Sequence, residues 1–248
     1  MTNTLIQIAV FSGYLWSALR IFSNLRAGGD PEPPKQHITT QIILLLTLAS
    51  HLFLLEAEIR HGEEIQFSLL TAISSIFWMA TCFYCLFSFL YRLDILYSLL
   101  ILLTALVFAI TALLPTGNIS PQLKPNIFGT HLILSILAYS IFTIAGLHTV
   151  VMAIAQWHLN SGKIPEYTKA LPPLLTMEKI LFKTIFIGIL LLSLSLLTGM
   201  FFLEQTRGQV LEFNHKVVFG WLSWGIFVCL FLGRVFLGWR GRVAINCT

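Results

Sequence analysis

The chain has 248 residues, of which 56% are hydrophobic and 10% charged, with a mean hydropathy of +0.83. Soluble domains carry about 25% charged residues, so this composition excludes a water-soluble globule and points to membrane-spanning helices. The net charge of +4 comes from lysines and arginines scattered through short loops, which excludes a concentrated nucleic-acid-binding surface.

A helix needs roughly 20 mostly apolar residues to cross the hydrocarbon of a bilayer. Seven segments are candidates: Leu5 to Leu25, Ile38 to Ala57, Ile65 to Tyr91, Ile95 to Leu114, Ile127 to Trp157, Ile180 to Leu203 and His215 to Leu237. All are expected to be helical, because a segment in lipid must satisfy its backbone hydrogen bonds internally. The expected fold is all-α, a polytopic transmembrane helix bundle forming one domain over residues 1–248. The start MTNT lacks a basic region, so no removable leader is expected. RAGGDPEPPKQH, after the first segment, reads as an exposed loop. The linker HLNSGKIPEYTKALPPLL, after the fifth, has room for a short surface helix.

Orientation follows from Lys and Arg, which accumulate on the cytoplasmic side. Eleven of the 15 basic residues fall on the side holding the connections after segments 1, 3 and 5 and the end of segment 7. That side is expected in the cytoplasm, with the N-terminus outside. His215 at the start of segment 7 and His131 early in segment 5 then lie at the outer face. His51 lies roughly 10 Å inside the outer end of segment 2, and His61 is in the outer loop. His148 lies about 25 Å along the helix from His131, too far to share a site with it.

Neutral imidazole is a common metal ligand, and an ionisable residue inside a membrane segment is a candidate functional site. His131, His215 and His51 are therefore the candidate cofactor ligands. Histidines near helix ends are also ordinary features of interfaces, and His51 has the alternative of packing against a neighbouring hydroxyl. Cys82 and Cys85 form a CxxC step inside segment 3, where a lipid-embedded thiol is unreactive and a structural role is expected. Trp221 and Trp224 suit helix packing or lipid contact. Ser195 and Gly199 form a small-xxx-small step for close helix approach, with Ser193 and Thr198 as added interhelical hydrogen-bonding groups. Arg234, Arg240 and Arg242 suit headgroup anchoring, and Glu56 and Glu58 a solvated helix end. No phosphate-binding loop, nucleophile elbow or paired intramembrane carboxylates occur.

GTHLILSILAYSIFTIAG in segment 5 resembles the cytochrome c assembly protein family (CcsA/CcmC-like). PPLLTMEKILFK, LSLLTGMFF, NHKVVFGWLSWGIF and GWRGR are similar to its YpjD/HemX-like inner-membrane branch, as is SHLFLLEAEI. The resemblance covers nearly the whole chain. It implies a bacterial inner-membrane protein that handles haem b at the outer face and is not an enzyme. His131 and His215 would be axial ligands to the haem iron, and His51 an alternate ligand or relay. Its implied partners are haem, the lipid bilayer, and apocytochrome c or other assembly proteins, with no nucleic acid. Haem-handling relatives carry WGxxWxWD before the last of these helices, whereas EQTRGQVLEFNHK here has no tryptophan, which speaks against cytochrome c synthase activity. Relatives usually have eight helices, continuing after GWRGR with one more; this chain stops at Thr248, through a true loss or a truncation. A haem-free regulator or scaffold, as in control of haem synthesis by the HemX-like branch, and a small-molecule transporter are the alternative functions.

Overall fold

The computed structural model of the protein describes residues 2–26, 34–61, 64–65, 67–87, 94–114, 125–162, 171–207 and 215–238. Among these are seven α-helices: α1 (Thr2–Arg26), α2 (Pro34–Ile59), α3 (Leu69–Phe87), α4 (Asp94–Leu113), α5 (Pro125–Asn160), α6 (Leu174–Arg207) and α7 (His215–Leu237). All seven are long and apolar enough to cross a membrane. The protein is thus the polytopic helical bundle read from its sequence.

Differences from the expected boundaries have local causes. The third helix was expected from Ile65, but Ile65 lies in a two-residue strand. Strands β1 (Arg60–His61) and β2 (Glu64–Ile65) pair antiparallel, Arg60 opposite Ile65 and His61 opposite Glu64. The helix begins only after Ser68, whose Oγ accepts the Thr71 backbone N–H at 3.0 Å, a capping bond that satisfies one otherwise orphaned donor. Residues 88–91, expected to continue this helix, lie outside the described residues. α5 runs on past Trp157 to Asn160, and just beyond it Gly162, with a φ of 68°, takes the left-handed conformation that closes many helices. α6 starts at Leu174, directly after Pro172 and Pro173, earlier than the expected Ile180; the polar TMEK stretch is helix too. The surface helix expected in the linker falls on residues 163–170, outside the described residues.

The chain divides into two compact units, one comprising Met1–Gln122 and Ile154–Pro173, the other Leu123–Ala153 and Leu174–Thr248. In the first, α1 packs on α4 and α2, and α3 packs on α4 and α2. The α1–α2 approach is close because Gly13 leaves no side chain: a Cβ there would overlap the Thr47 hydroxyl. Trp78 reaches from α3 to α2, donating its indole N–H to the Leu48 carbonyl at 2.9 Å.

In the second unit α5, α6 and α7 are successive antiparallel neighbours. Phe142 of α5 stacks on Phe227 of α7 with centroids 3.9 Å apart, and a Cβ at Gly188 of α6 would come within 2.8 Å of the same Phe142 ring. Phe186 of α6 stacks on Phe231 of α7 at 5.2 Å, and Trp224 of α7 donates to Ser193 Oγ of α6 at 2.8 Å. This register brings the start of α5, the end of α6 and the start of α7 to one end of the unit.

Candidate functional site

At that end, α5 carries His131. Its Nδ1 lies 2.8 Å from the backbone carbonyl oxygen of Ser195 on α6. A carbonyl can only accept, so Nδ1 carries the proton and donates. A neutral imidazole has a single N–H, and Nε2 is left with its lone pair. No partner for Nε2 occurs among the described residues. An Nδ1–H bonded to a backbone carbonyl is how metal-ligating histidines are commonly oriented: it fixes the tautomer and raises the basicity of the other nitrogen.

The surroundings hold this ring in place. Ser135, one turn further along α5, donates to the His131 carbonyl at 2.7 Å. Its Oγ also lies 2.7 Å from Ser195 Oγ, tying α5 to α6 beside the imidazole. Thr198 Oγ1 adds a donor to the Ser195 carbonyl at 2.9 Å. The ring itself lies over Gly199, where a Cβ would come within 3.0 Å of its Cε1. The Ser195–Gly199 step read as a site of close helix approach is therefore the seat of a histidine ring. Among the described residues Thr198 bonds within its own helix, whereas Ser193 does make the expected interhelical bond, by accepting from Trp224.

His215 opens α7, at the same end of the unit as His131. Its side chain lies outside the described residues, so the backbone alone brings the two together. Trp224 faces α6 and Trp221 is 38% exposed, in keeping with packing and lipid-facing roles. Among the described residues no three His, Cys, Asp or Glu side chains converge for a bare metal ion. Haem makes a smaller demand on the protein, since its macrocycle fills the equatorial positions and one or two imidazoles suffice.

His51 belongs to the first unit and is differently placed. It is 1% exposed. Its Nδ1 lies 2.9 Å from the Tyr14 hydroxyl of α1 and its Nε2 lies 3.1 Å from Ser74 Oγ of α3. The Phe108 ring of α4 meets it edge-on at 4.7 Å. One imidazole thereby joins all four helices, and because each hydroxyl can donate or accept, either tautomer is satisfied. In this arrangement neither nitrogen is open to a metal. The Glu58 carboxylate accepts from the Thr71 hydroxyl at 3.1 Å.

The rest of this four-helix interior is more polar than the sequence reading expected. Thr81 and Thr104 share a hydrogen bond at 2.7 Å, and Gln41 Oε1 accepts from Tyr97 at 3.3 Å and from Cys85 at 3.2 Å. Cys85 is buried in this contact and Cys82 is half-buried, both as free thiols. The available signal was the run Thr71, Ser74, Trp78, Thr81, Cys85 at alternating three- and four-residue spacing, a single polar stripe down α3.

His148 is buried on α5, with no hydrogen-bond partner for its Nε2 among the described residues. The side chains of His37 and His61 lie outside the described residues, as do Arg240 and Arg242. Arg234 departs from the headgroup-anchor reading. It pairs with Glu178 of α6, and its guanidinium lies 5.1 Å from the centroid of the Phe182 ring, so it ties α7 to α6.

Comparison with known proteins adds an independent line. The family profile described as cytochrome C assembly protein matches residues 37–248. Over 112 residues the chain is 31% identical to the inner membrane protein YpjD of Escherichia coli (strain K12), covering 45% of this chain and 41% of that protein. It is 26% identical over 114 residues, 46% of this chain and 42% of the relative, to the "Uncharacterized 28.8 kDa protein in nifR3-like 5'region" of Azospirillum brasilense. The matched region thus spans less than half the length of these curated relatives.

Proposed function

The chain belongs to the cytochrome c assembly protein family, as a multi-pass membrane protein similar to an inner-membrane relative, and from that premise we propose that it is a haem-handling carrier. His131, through Nε2, and His215 would hold the haem iron, both at the outer face of the inner membrane. The carrier holds and presents haem b and transforms no substrate, so it is not an enzyme. Its partners are the haem, the surrounding bilayer, and an apocytochrome c or another assembly protein that takes the haem over.

One observation carries this reading. His131 donates through Nδ1 to a carbonyl, so that the neutral ring keeps its lone pair on Nε2, at the end of the unit where α7 begins with His215. The donor chemistry fits haem iron, a Lewis acid that takes neutral imidazole nitrogen at about 2 Å, the usual metal–imidazole distance. Bound haem would supply a redox-active iron; the protein supplies its ligands and an orientation. His51 has both nitrogens engaged and takes no ligand role in this arrangement.

The test is the visible spectrum of the detergent-purified protein from haem-sufficient cells, beside His131→Ala and His215→Ala. A Soret band in the wild type that weakens or shifts in both variants is expected. A folded wild type that shows no band after haem is added back overturns the proposal. The haem-free regulator reading would then lead, favoured already by the absence of tryptophan from EQTRGQVLEFNHK.

A further inference from the structure

A ligand histidine is useful only if the correct nitrogen is deprotonated and the ring is held at the correct angle. Both conditions are set at His131 by two residues of α6. The Ser195 carbonyl accepts the hydrogen bond from His131 Nδ1–H at an N···O distance of 2.8 Å. It is a rigid acceptor, because it belongs to a helix backbone and because the Ser195 side chain is buried and bonded to Ser135. Gly199, one turn on, contributes the absence of a side chain. A Cβ there would lie 3.0 Å from Cε1 and 3.2 Å from Nδ1 of the imidazole, closer than ordinary van der Waals contact. With position 199 empty, the ring sits at the Ser195 carbonyl without a tight contact from α6. Gly146 and Gly225 of the same unit differ: a Cβ at either meets nothing within 4 Å.

We infer that Ser195 and Gly199 are positioning residues that hold His131 as the Nδ1–H tautomer with Nε2 presented as the ligand. A methyl at position 199 makes the ring give by a few tenths of an ångström, which lengthens the Nδ1–H···O=C hydrogen bond and weakens its hold on the tautomer. Loss of an orienting partner of this kind typically weakens metal affinity by about 10–100-fold. This inference rests on the haem-carrier reading for its purpose, but the tautomer itself is measurable without haem.

The experiment is nitrogen NMR of the full chain in detergent micelles with histidine labelled at both ring nitrogens, His131 being assigned by difference against His131→Asn. The expected wild-type spectrum shows a protonated Nδ1 and an unprotonated Nε2. Gly199→Ala should give a mixture of tautomers, while Gly225→Ala, which also removes a helical glycine, keeps the wild-type pattern. On haem titration, Gly199→Ala should bind roughly tenfold more weakly than Gly225→Ala. A wild-type His131 protonated at Nε2 overturns the inference outright, with no variant needed. So does a Gly199→Ala protein with an unchanged tautomer and unchanged haem affinity. If the wild-type tautomer is as expected, Gly199→Ala disturbs it and no haem binds, the carrier reading fails and the positioning role stands.

Discussion

His131 and His51 are both imidazoles within helices, and their hydrogen bonds put them to different uses. His131 faces one acceptor and keeps a lone pair; His51 faces two hydroxyls and keeps nothing. Replacing His51 with alanine leaves the Tyr14 and Ser74 hydroxyls without their shared partner in an interior that offers little water. Leaving a buried polar group unsatisfied costs about 1–3 kcal/mol, and the four-helix junction around His51 also loses a side chain that fills it. His51→Ala should therefore lower the unfolding temperature in detergent by several degrees and leave the Soret band of the folded fraction unchanged. A folded His51→Ala protein that loses its Soret band would make His51 a ligand and require the junction to rearrange when haem binds.

Helices in this protein meet through small features that act over whole interfaces. Gly13 sets the spacing of α1 and α2, since any Cβ there overlaps Thr47. Overpacking of this kind costs typically 1–3 kcal/mol, so Gly13→Ala should depress the unfolding temperature where Gly225→Ala does not. The Arg234–Glu178 pair plays a comparable part between α7 and α6, with the arginine 23% and the glutamate 7% exposed at their side chains. Removing one partner leaves the other charged group poorly solvated; Glu178→Gln should cost roughly 1–3 kcal/mol, reduced from the fully buried case because Arg234 is partly exposed. A double-mutant cycle with Arg234→Met, read by thermal unfolding, should return a coupling of that sign. Such features bear on what a sequence makes legible. Hydropathy located all seven helices, because apolar length is a property of single segments. It misplaced the starts of α3 and α6, where Ser68 and the Pro172–Pro173 pair, rather than apolarity, mark the boundary. It read the site partly. His131 and His215 stand out as polar groups at helix ends, but the hydrogen bond that orients His131 goes to a backbone carbonyl, which every residue has and no sequence pattern marks. Arg234 was read as a headgroup anchor because its acid partner lies 56 positions away on another helix.

The arrangement of the whole chain gives these contacts their biological direction. With each of the seven described spans crossing once, alternation predicts that the chain segments leading into α3, α5 and α7 face the same side of the membrane. Eleven of the 15 lysines and arginines fall on the opposite side. Basic residues near span ends tend to stay in the cytoplasm, which predicts that the histidine end faces outward, the side on which the proposed carrier would hand haem on. The acidic connection EAEIRHGEE is permitted on the outer side, since Asp and Glu contribute little to orientation. The prediction is tested by labelling in intact spheroplasts with a membrane-impermeant maleimide, on a protein whose native cysteines are replaced. Gly62→Cys, in the β1–β2 connection, should label without permeabilisation, and Gly28→Cys, in the first connection, only after it. The reverse pattern would place His131 and His215 at the cytoplasmic face. Haem bound there would meet the compartment in which it is made, and the carrier would have to be read as collecting haem from synthesis instead of presenting it for attachment.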